Sequence, residues 1–218
     1  MGDFSDMVTL TKQKLRDDPK FTTTIVGREL NQGQIDICKK TAVMDDKVDM
    51  DAVANQIEYS YPIVDDNAAT ITVLKIKYIL YYSGGRWEPL TYIPFKEYVK
   101  ADTTQPGVPT LFYDRPGKKK FGLYPKPPSA GTDVIRVYVV DAPTPMVETS
   151  QEDCDLPKVL HIADVFYACK QLAGRDGKLD EMGVWDKEYQ RAIHEGEVFL
   201  IPDAPQYIRE DEAGEELD

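Results

Sequence analysis

Cysteine, histidine and positive charge are all scarce in this sequence of 218 residues, and each shortage excludes a class of protein. The three cysteines lie far apart, so they offer neither a disulfide framework nor the paired spacing of a zinc site. A formal charge of −12 disfavours a protein that wraps nucleic acid, because affinity for phosphate comes from clustered Lys and Arg. No apolar run approaches the roughly 20 residues that cross a bilayer. The polar first residues do not resemble a signal peptide, so we expect a soluble protein that is not exported.

Motifs that carry catalysis are missing as well. The two histidines, His161 and His194, lie outside any HExxH or GxSxG context, and there is no glycine-rich phosphate loop. The acidic segment 45–51 lacks the central glycine and closing glutamate of a calcium loop, so we interpret it as a solvated loop. We predict a protein that is not an enzyme and has no catalytic, cofactor-binding or metal-binding residues. A hydrolase with a carboxylate pair is an alternative, because such partners meet only in the fold.

The remaining patterns predict an α+β fold in four parts. Residues 1–50 form an N-terminal helical part, in which an apolar stripe predicts a helix from about Thr23 to Thr41. Residues 51–150 contain short β-branched and aromatic runs between Gly and Pro turns, which predicts an inserted antiparallel β-rich domain. Residues 151–201 predict an antiparallel helix hairpin that completes the helical body. Residues 202–218 form an extended acidic tail.

Individual helix positions carry further expectations. Gly27 and Gly33 each weaken the second front helix by ~1 kcal/mol relative to alanine, so packing must hold that helix. Asp155 is the candidate N-cap of the first helix of the C-terminal hairpin. His161 is expected on or beside the polar face of the same helix.

A basic run stands out against the acidic background. It surrounds a predicted turn and contains Arg115, Lys118, Lys119 and Lys120. One interpretation is a hydrated hairpin tip that discourages edge-to-edge pairing of strands. The other is a contact with an acidic partner surface or with passing phosphates. We favour the first, because an isolated exposed charge cluster contributes little binding energy.

The acidic tail is the second candidate contact segment. It has too few apolar residues to offset the entropy of ordering by itself. We therefore predict that it contacts another chain from about Asp203 onward, with Tyr207 and Ile208 as apolar anchors beside Arg209.

Tyrosine is over-used, with 13 copies against 7 Phe and 2 Trp. Because its ring can be buried while its hydroxyl stays wet, tyrosine suits two-faced strands and interfaces alike, and both interpretations stay open. A second functional hypothesis is therefore a β-sandwich binding module, such as a glycan-binding or baseplate accessory protein. Trp87, Tyr92 and Tyr98 would be its stacking platforms.

An ordered series of segments runs from about residue 25 to residue 195. The segments are LNQGQIDICKKT at 30–41, Gly107-Val108-Pro109, Leu111 to Asp114, Gly122 to Pro127, Ser129 to Thr132, VIRVYVV at 134–140, Ala142-Pro143, Leu156-Pro157, His161, Tyr167-Ala168 and DKEYQRAI at 186–193. In order and spacing, the series resembles the head-to-tail adaptor, or connector, proteins of tailed bacteriophages. Gly27, Gly33 and the long acidic tail depart from that pattern.

The resemblance implies a structural role in the neck of a virion assembled in the host cytoplasm. Family members form a ring, dodecameric in the family, beneath the portal vertex, and the C-terminal segment engages the portal. The implied partners are further copies of the chain, the portal protein and a tail, nozzle or tail-terminator protein. DNA passes through the centre in non-specific proximity, and no membrane is involved. The net negative charge agrees with a channel that repels phosphate.

Overall fold

The computed structural model describes residues 4–62, 64, 70–99, 106–147 and 154–200. Within these ranges it contains five α-helices and two sheets of four strands, which confirms the predicted α+β class. The helices are α1 (Phe4–Lys14), α2 (Thr23–Thr41), α3 (Phe95–Tyr98), α4 (His161–Arg175) and α5 (Leu179–Leu200). The strands are β1 (Asp45–Ala52), β2 (Glu58–Ser60), β3 (Val73–Ser83), β4 (Arg86–Pro89), β5 (Thr91–Tyr92), β6 (Leu111–Arg115), β7 (Lys120–Tyr124) and β8 (Gly131–Asp141).

Helices α1, α2, α4 and α5 share one hydrophobic core. Their apolar residues recur at spacings of three and four, so each helix has one stripe to bury. Helix α4 is central, because it packs against α1, α2 and α5. The largest fully buried side chains of this core are Met7, Leu30, Ile37, Leu160, Leu172 and Tyr189.

The start of α4 differs from the sequence-based expectation. Asp155 does not cap the helix, because its Oδ2 accepts a hydrogen bond from the backbone N–H of Thr144 at 2.6 Å. A 3₁₀ turn at Lys158–Leu160 leads into α4 instead. His161 is buried rather than near a polar face, and its Nε2 lies 2.8 Å from the carbonyl oxygen of Leu156. The turn that precedes the helix therefore encloses this ring.

The strands form two sheets, in the orders β1-β8-β3-β4 and β2-β7-β6-β5. Neighbouring strands are antiparallel except for the short β5–β6 pair. Gly84 and Gly85 form the tight β3–β4 turn with φ of 60° and 84°, where glycine is favoured. The acidic segment interpreted as a solvated loop is strand β1. Its Val48 and Ala52 face the core at alternate positions, so the intervening aspartates can stay at the surface.

Strand β8 connects the two cores of the molecule. It pairs with β1 on one side and β3 on the other. Its Val137 and Val139 belong to a core that also contains Phe112, Phe121 and Leu123 of the second sheet, so the two sheets share one interior. Val140 instead belongs to the helical core.

Close helix approach explains both glycines of α2. A methyl group on Gly33 would overlap the carboxylate of Asp164 in α4 and lie 3.0 Å from the ring of Tyr167. A methyl group on Gly27 would lie 2.5 Å from the ring of Phe4 in α1. Glycine lowers the helix propensity of α2 at these two positions, but it allows α1 and α4 to pack closely against α2.

The variant Gly33→Ala tests this close approach. Alanine favours helix, yet its methyl group must push α2 and α4 apart, so we expect the free energy of unfolding to fall by about 1–3 kcal/mol. Gly183→Ala in α5 is the matched control, because no atom lies within 4 Å of the added methyl group. It should raise the unfolding free energy by up to about 1 kcal/mol in urea titrations. Equal effects of the two substitutions would contradict the packing argument.

Asp164 is a buried carboxyl group that lacks a hydrogen bond within the described part of the chain. Its side chain is fully buried, and neither oxygen has a hydrogen-bond partner among the described residues. Burial raises the pKa of Asp164 well above its ordinary value. The folded protein therefore retains a proton that the unfolded chain releases above about pH 4.

Asp164→Asn is expected to remove this proton linkage. Relative to the variant, the wild-type protein should lose up to about 1.4 kcal/mol of stability per pH unit as pH rises from about 4 to the raised native pKa. Below about pH 4 the difference should be constant, because the group is protonated in both states. Urea unfolding across this range measures it. Asp133→Asn, at an exposed residue, should leave the wild-type pH profile in place.

Candidate interaction surfaces

The three cysteines and two of the aspartates, which are residue types that catalysis can use, are buried or partly buried. Cys38, Cys154 and Cys169 are buried, and burial raises the pKa of each thiol to about 12, so all three are protonated at neutral pH. Asp114 and Asp164 are carboxyl groups whose pKa burial raises, but Asp114 lies on β6 and bonds the hydroxyl of Tyr61. The two acids therefore belong to different cores and do not form an acid–base pair.

The described residues contain neither a metal-binding cluster nor a membrane-spanning helix. No group of three or more His, Cys, Asp or Glu in that part of the chain could hold a metal ion. None of its helices combines the length and hydropathy of a membrane span.

The basic run forms the tip of the β6–β7 hairpin, and we call residues 115–120 the basic tip. A 3₁₀ turn at Pro116–Lys118 joins the strands. Lys119 adopts a left-handed conformation with φ of 50°, and its N–H donates to the Pro116 carbonyl at 3.1 Å. The Lys119 carbonyl accepts a hydrogen bond from the N–H of Tyr61 at 2.9 Å. One hydrogen bond within the turn and one from Tyr61 therefore hold the backbone of the tip in place.

The four basic side chains of the tip fall into two pairs. Arg115 lies 2.6 Å from Glu58 and Lys120 lies 3.8 Å from the same carboxylate. Arg115 holds the pKa of Glu58 below its usual value. Lys118 and Lys119 are exposed, and neither forms an ion pair with another described residue. Only the second pair is fully available to a partner.

The remaining predicted contact residues, Tyr207, Ile208 and Arg209, lie outside the described residues. The contact predicted for them stays a prediction.

A surface that the sequence analysis missed covers the outer side of the β1-β8-β3-β4 sheet. Tyr78 of β3 stacks on Tyr138 of β8 with ring centroids 4.3 Å apart, and Tyr82 meets Trp87 of β4 at 5.2 Å. Tyr78 and Tyr82 are 41% and 42% exposed. We call these four rings the aromatic face. Tyr81, between them in sequence, points to the core instead.

Arg136 fixes the aromatic face. Its guanidinium group donates two hydrogen bonds of 2.7 Å to Asp49 and lies 4.1 Å from the centre of the Trp87 ring. This geometry raises the pKa of Arg136 and lowers the pKa of Asp49. Nearby charges are also paired, since Lys77 contacts Asp45 at 2.5 Å. The face is therefore rigid and close to neutral, so a partner can cover it without stranding a charge.

The three aromatic residues proposed for glycan stacking do not form one platform. Trp87 is covered on one side by Arg136. Tyr98 is buried, with its ring 4.1 Å from that of Tyr113. Tyr92 is 54% exposed but lies on the other sheet. No sugar could stack on all three.

Comparison with protein families identifies the family of the chain. A family model described as SU10 adaptor protein matches residues 3–207, which is nearly the whole chain. The chain belongs to the SU10 adaptor protein family. This match confirms the resemblance to phage adaptor proteins. A comparison with curated proteins found no match.

Membership in a phage adaptor family gives the surfaces their context. An adaptor connects other proteins, so its exposed contact surfaces are the features that bear on this role. The basic tip and the aromatic face lie on different sheets of the β region, and they differ in charge and in shape. Two such surfaces can serve two contacts of the adaptor.

Arg136→Lys tests how the aromatic face of this adaptor is held. Lysine keeps the charge but loses the paired hydrogen bonds to Asp49 and the planar stacking on Trp87. We expect the free energy of unfolding in urea to fall by about 1–2 kcal/mol. Arg86→Lys is the control, because its side chain is 78% exposed and should change stability by less than about 0.5 kcal/mol. A loss no larger than the control's would show that Arg136 does not organise the face.

Proposed function

We propose that this adaptor forms a ring that connects the portal to the tail of a tailed phage and surrounds the passage for DNA. The family match over residues 3–207 carries the proposal. We infer a dodecamer in the neck of the virion, assembled in the host cytoplasm, from the resemblance to head-to-tail adaptors. The role is structural, without turnover of a substrate.

Within the ring, we assign separate roles to the parts of the chain. The helical parts at 1–50 and 151–201, the latter as an antiparallel hairpin, build the body of the ring. The β-rich part at 51–150 contacts neighbouring copies or the tail. The acidic tail at 202–218 reaches another chain and uses Tyr207 and Ile208 beside Arg209.

The charge of the chain is compatible with a ring. A cyclic assembly uses head-to-tail contacts, which require two different and complementary surfaces on each copy. The basic tip is positive and residues 202–218 are acidic, so the chain carries two segments of complementary charge, and the aromatic face is a separate surface that is close to neutral. Each copy also brings a net charge of −12, so a ring would repel the phosphates of passing DNA rather than bind them.

Cryo-electron microscopy of virions tests the proposed position. We expect density for this chain as a closed ring between portal and tail, with DNA on its axis. Particles made without the chain should contain filled heads that lack tails, and purified protein added to them should restore tail attachment. The proposal is wrong if the chain is absent from virions or if the added protein leaves the heads without tails. A monomer in solution does not contradict it, because such a ring can close only when it docks on the portal.

A further inference from the structure

We propose that the basic tip of one copy binds the acidic terminus, residues 210–218, of an adjacent copy. This inference rests on the proposed ring, and it identifies the two segments that join neighbouring subunits, whereas the resemblance to head-to-tail adaptors places the C-terminal segment on the portal. The partner is therefore a second copy of this chain, recognised by opposite charge.

The negative charge of the chain is concentrated at its end. Residues 201–218 contain seven carboxylates and one arginine, so they carry half of the net charge of −12. The acidic terminus itself has six carboxylates in nine residues, and it contains no Lys or Arg. A segment of this charge density gains most from a concentrated positive surface elsewhere.

The basic tip offers such a surface in a fixed geometry. Hydrogen bonds to Pro116 and Tyr61 hold its backbone, so little backbone freedom is lost on binding. Lys118 and Lys119 project without an ion-pair partner among the described residues. Lys120 is only weakly engaged, because Arg115 already lies closer to Glu58.

The acidic strand β1 is less available to the tip. On strand β1, Asp45 pairs with Lys77 and Asp49 pairs with Arg136. Asp51 accepts a hydrogen bond from the backbone N–H of Asp133 at 3.0 Å. A partner that used these carboxylates would have to displace existing bonds.

Chain length allows a contact between copies. Nine residues, 201–209, separate the end of α5 from the acidic terminus. Fully extended, they span about 30 Å, which is comparable to the size of a small domain. Each single exposed ion pair is weak, but a closed ring repeats the contact at every interface.

Zero-length cross-linking detects the contact directly. Tail-less heads are supplied with an equal mixture of ¹⁴N- and ¹⁵N-labelled full-length adaptor, and a carbodiimide then joins amines to carboxylates in contact. We expect mass spectrometry to find light–heavy peptides that join Lys118 or Lys119 to residues 210–218. Cross-links with one label only would indicate contact within a chain, and cross-links to the portal or none at all would equally overturn the proposal.

Charge reversal provides the second test. Lys118→Glu with Lys119→Glu should reduce the amount of adaptor retained on the heads about tenfold, with the loss growing at low salt. Adding Glu215→Lys and Glu216→Lys to the same chain should restore part of the retention, because the two new lysines attract the two new glutamates although four carboxylates of the terminus remain. The control pair Lys96→Glu with Lys187→Glu, at exposed lysines elsewhere, should change retention less than twofold.

The outcomes separate this inference from the proposed function. If the tip variant fails and the exchanged variant does not recover, the tip binds DNA or another protein, and the inference is wrong. If the tip variant is retained like the control, the inference is also wrong, while a ring in the virion still supports the proposed function. If no ring is found in the virion, the proposed function itself fails.

Discussion

The position of strand β8 between β1 and β3 is the constraint on which the rest of the structure depends. This strand gives Val137 and Val139 to the core between the sheets and Val140 to the core between the helices. Because successive residues of a strand point to opposite faces, one eleven-residue strand can contribute side chains to both cores. The outward residues Arg136 and Tyr138 then organise the aromatic face.

Ion pairs within the fold neutralise several of the charges beside the candidate contacts. Lys77 and Arg136 are paired with aspartates of β1, and Arg115 is paired with Glu58. Such partly exposed pairs add little stability, but they fix side chains and remove charge from the surface. Lys118 and Lys119 of the basic tip form no ion pair with another described residue, so their charge is available to a partner. For an adaptor, surplus charge at a fixed point is a means of selecting a partner.

The sequence predicted the elements well where a pattern repeats over many residues. The β-branched runs of the predicted β-rich part contain strands β3 and β8, and the helix expected from about Thr23 is α2. The prediction from sequence was wrong where one local pattern is compatible with two structures. The aspartate-rich segment 45–51 was interpreted as a loop, although its apolar residues at alternate positions fit an edge strand. Simple alternation would place Ile76 and Tyr78 on the same face, yet Ile76 is buried and Tyr78 is exposed because a register shift lies between them.

The candidate surfaces divide in the same way. Sequence located the basic run, since four cations around a turn are visible in the letters alone, and the order of segments was sufficient to indicate the family. Only the tertiary structure showed that Glu58 engages Arg115 and Lys120, which leaves Lys118 and Lys119 exposed. It also brought Trp87, Tyr138 and Arg136 together from separate strands. Composition and periodicity determine which elements form, because those preferences are local. Which charges are neutralised and which rings meet depends on distances between residues far apart in the chain, and folding alone sets those distances.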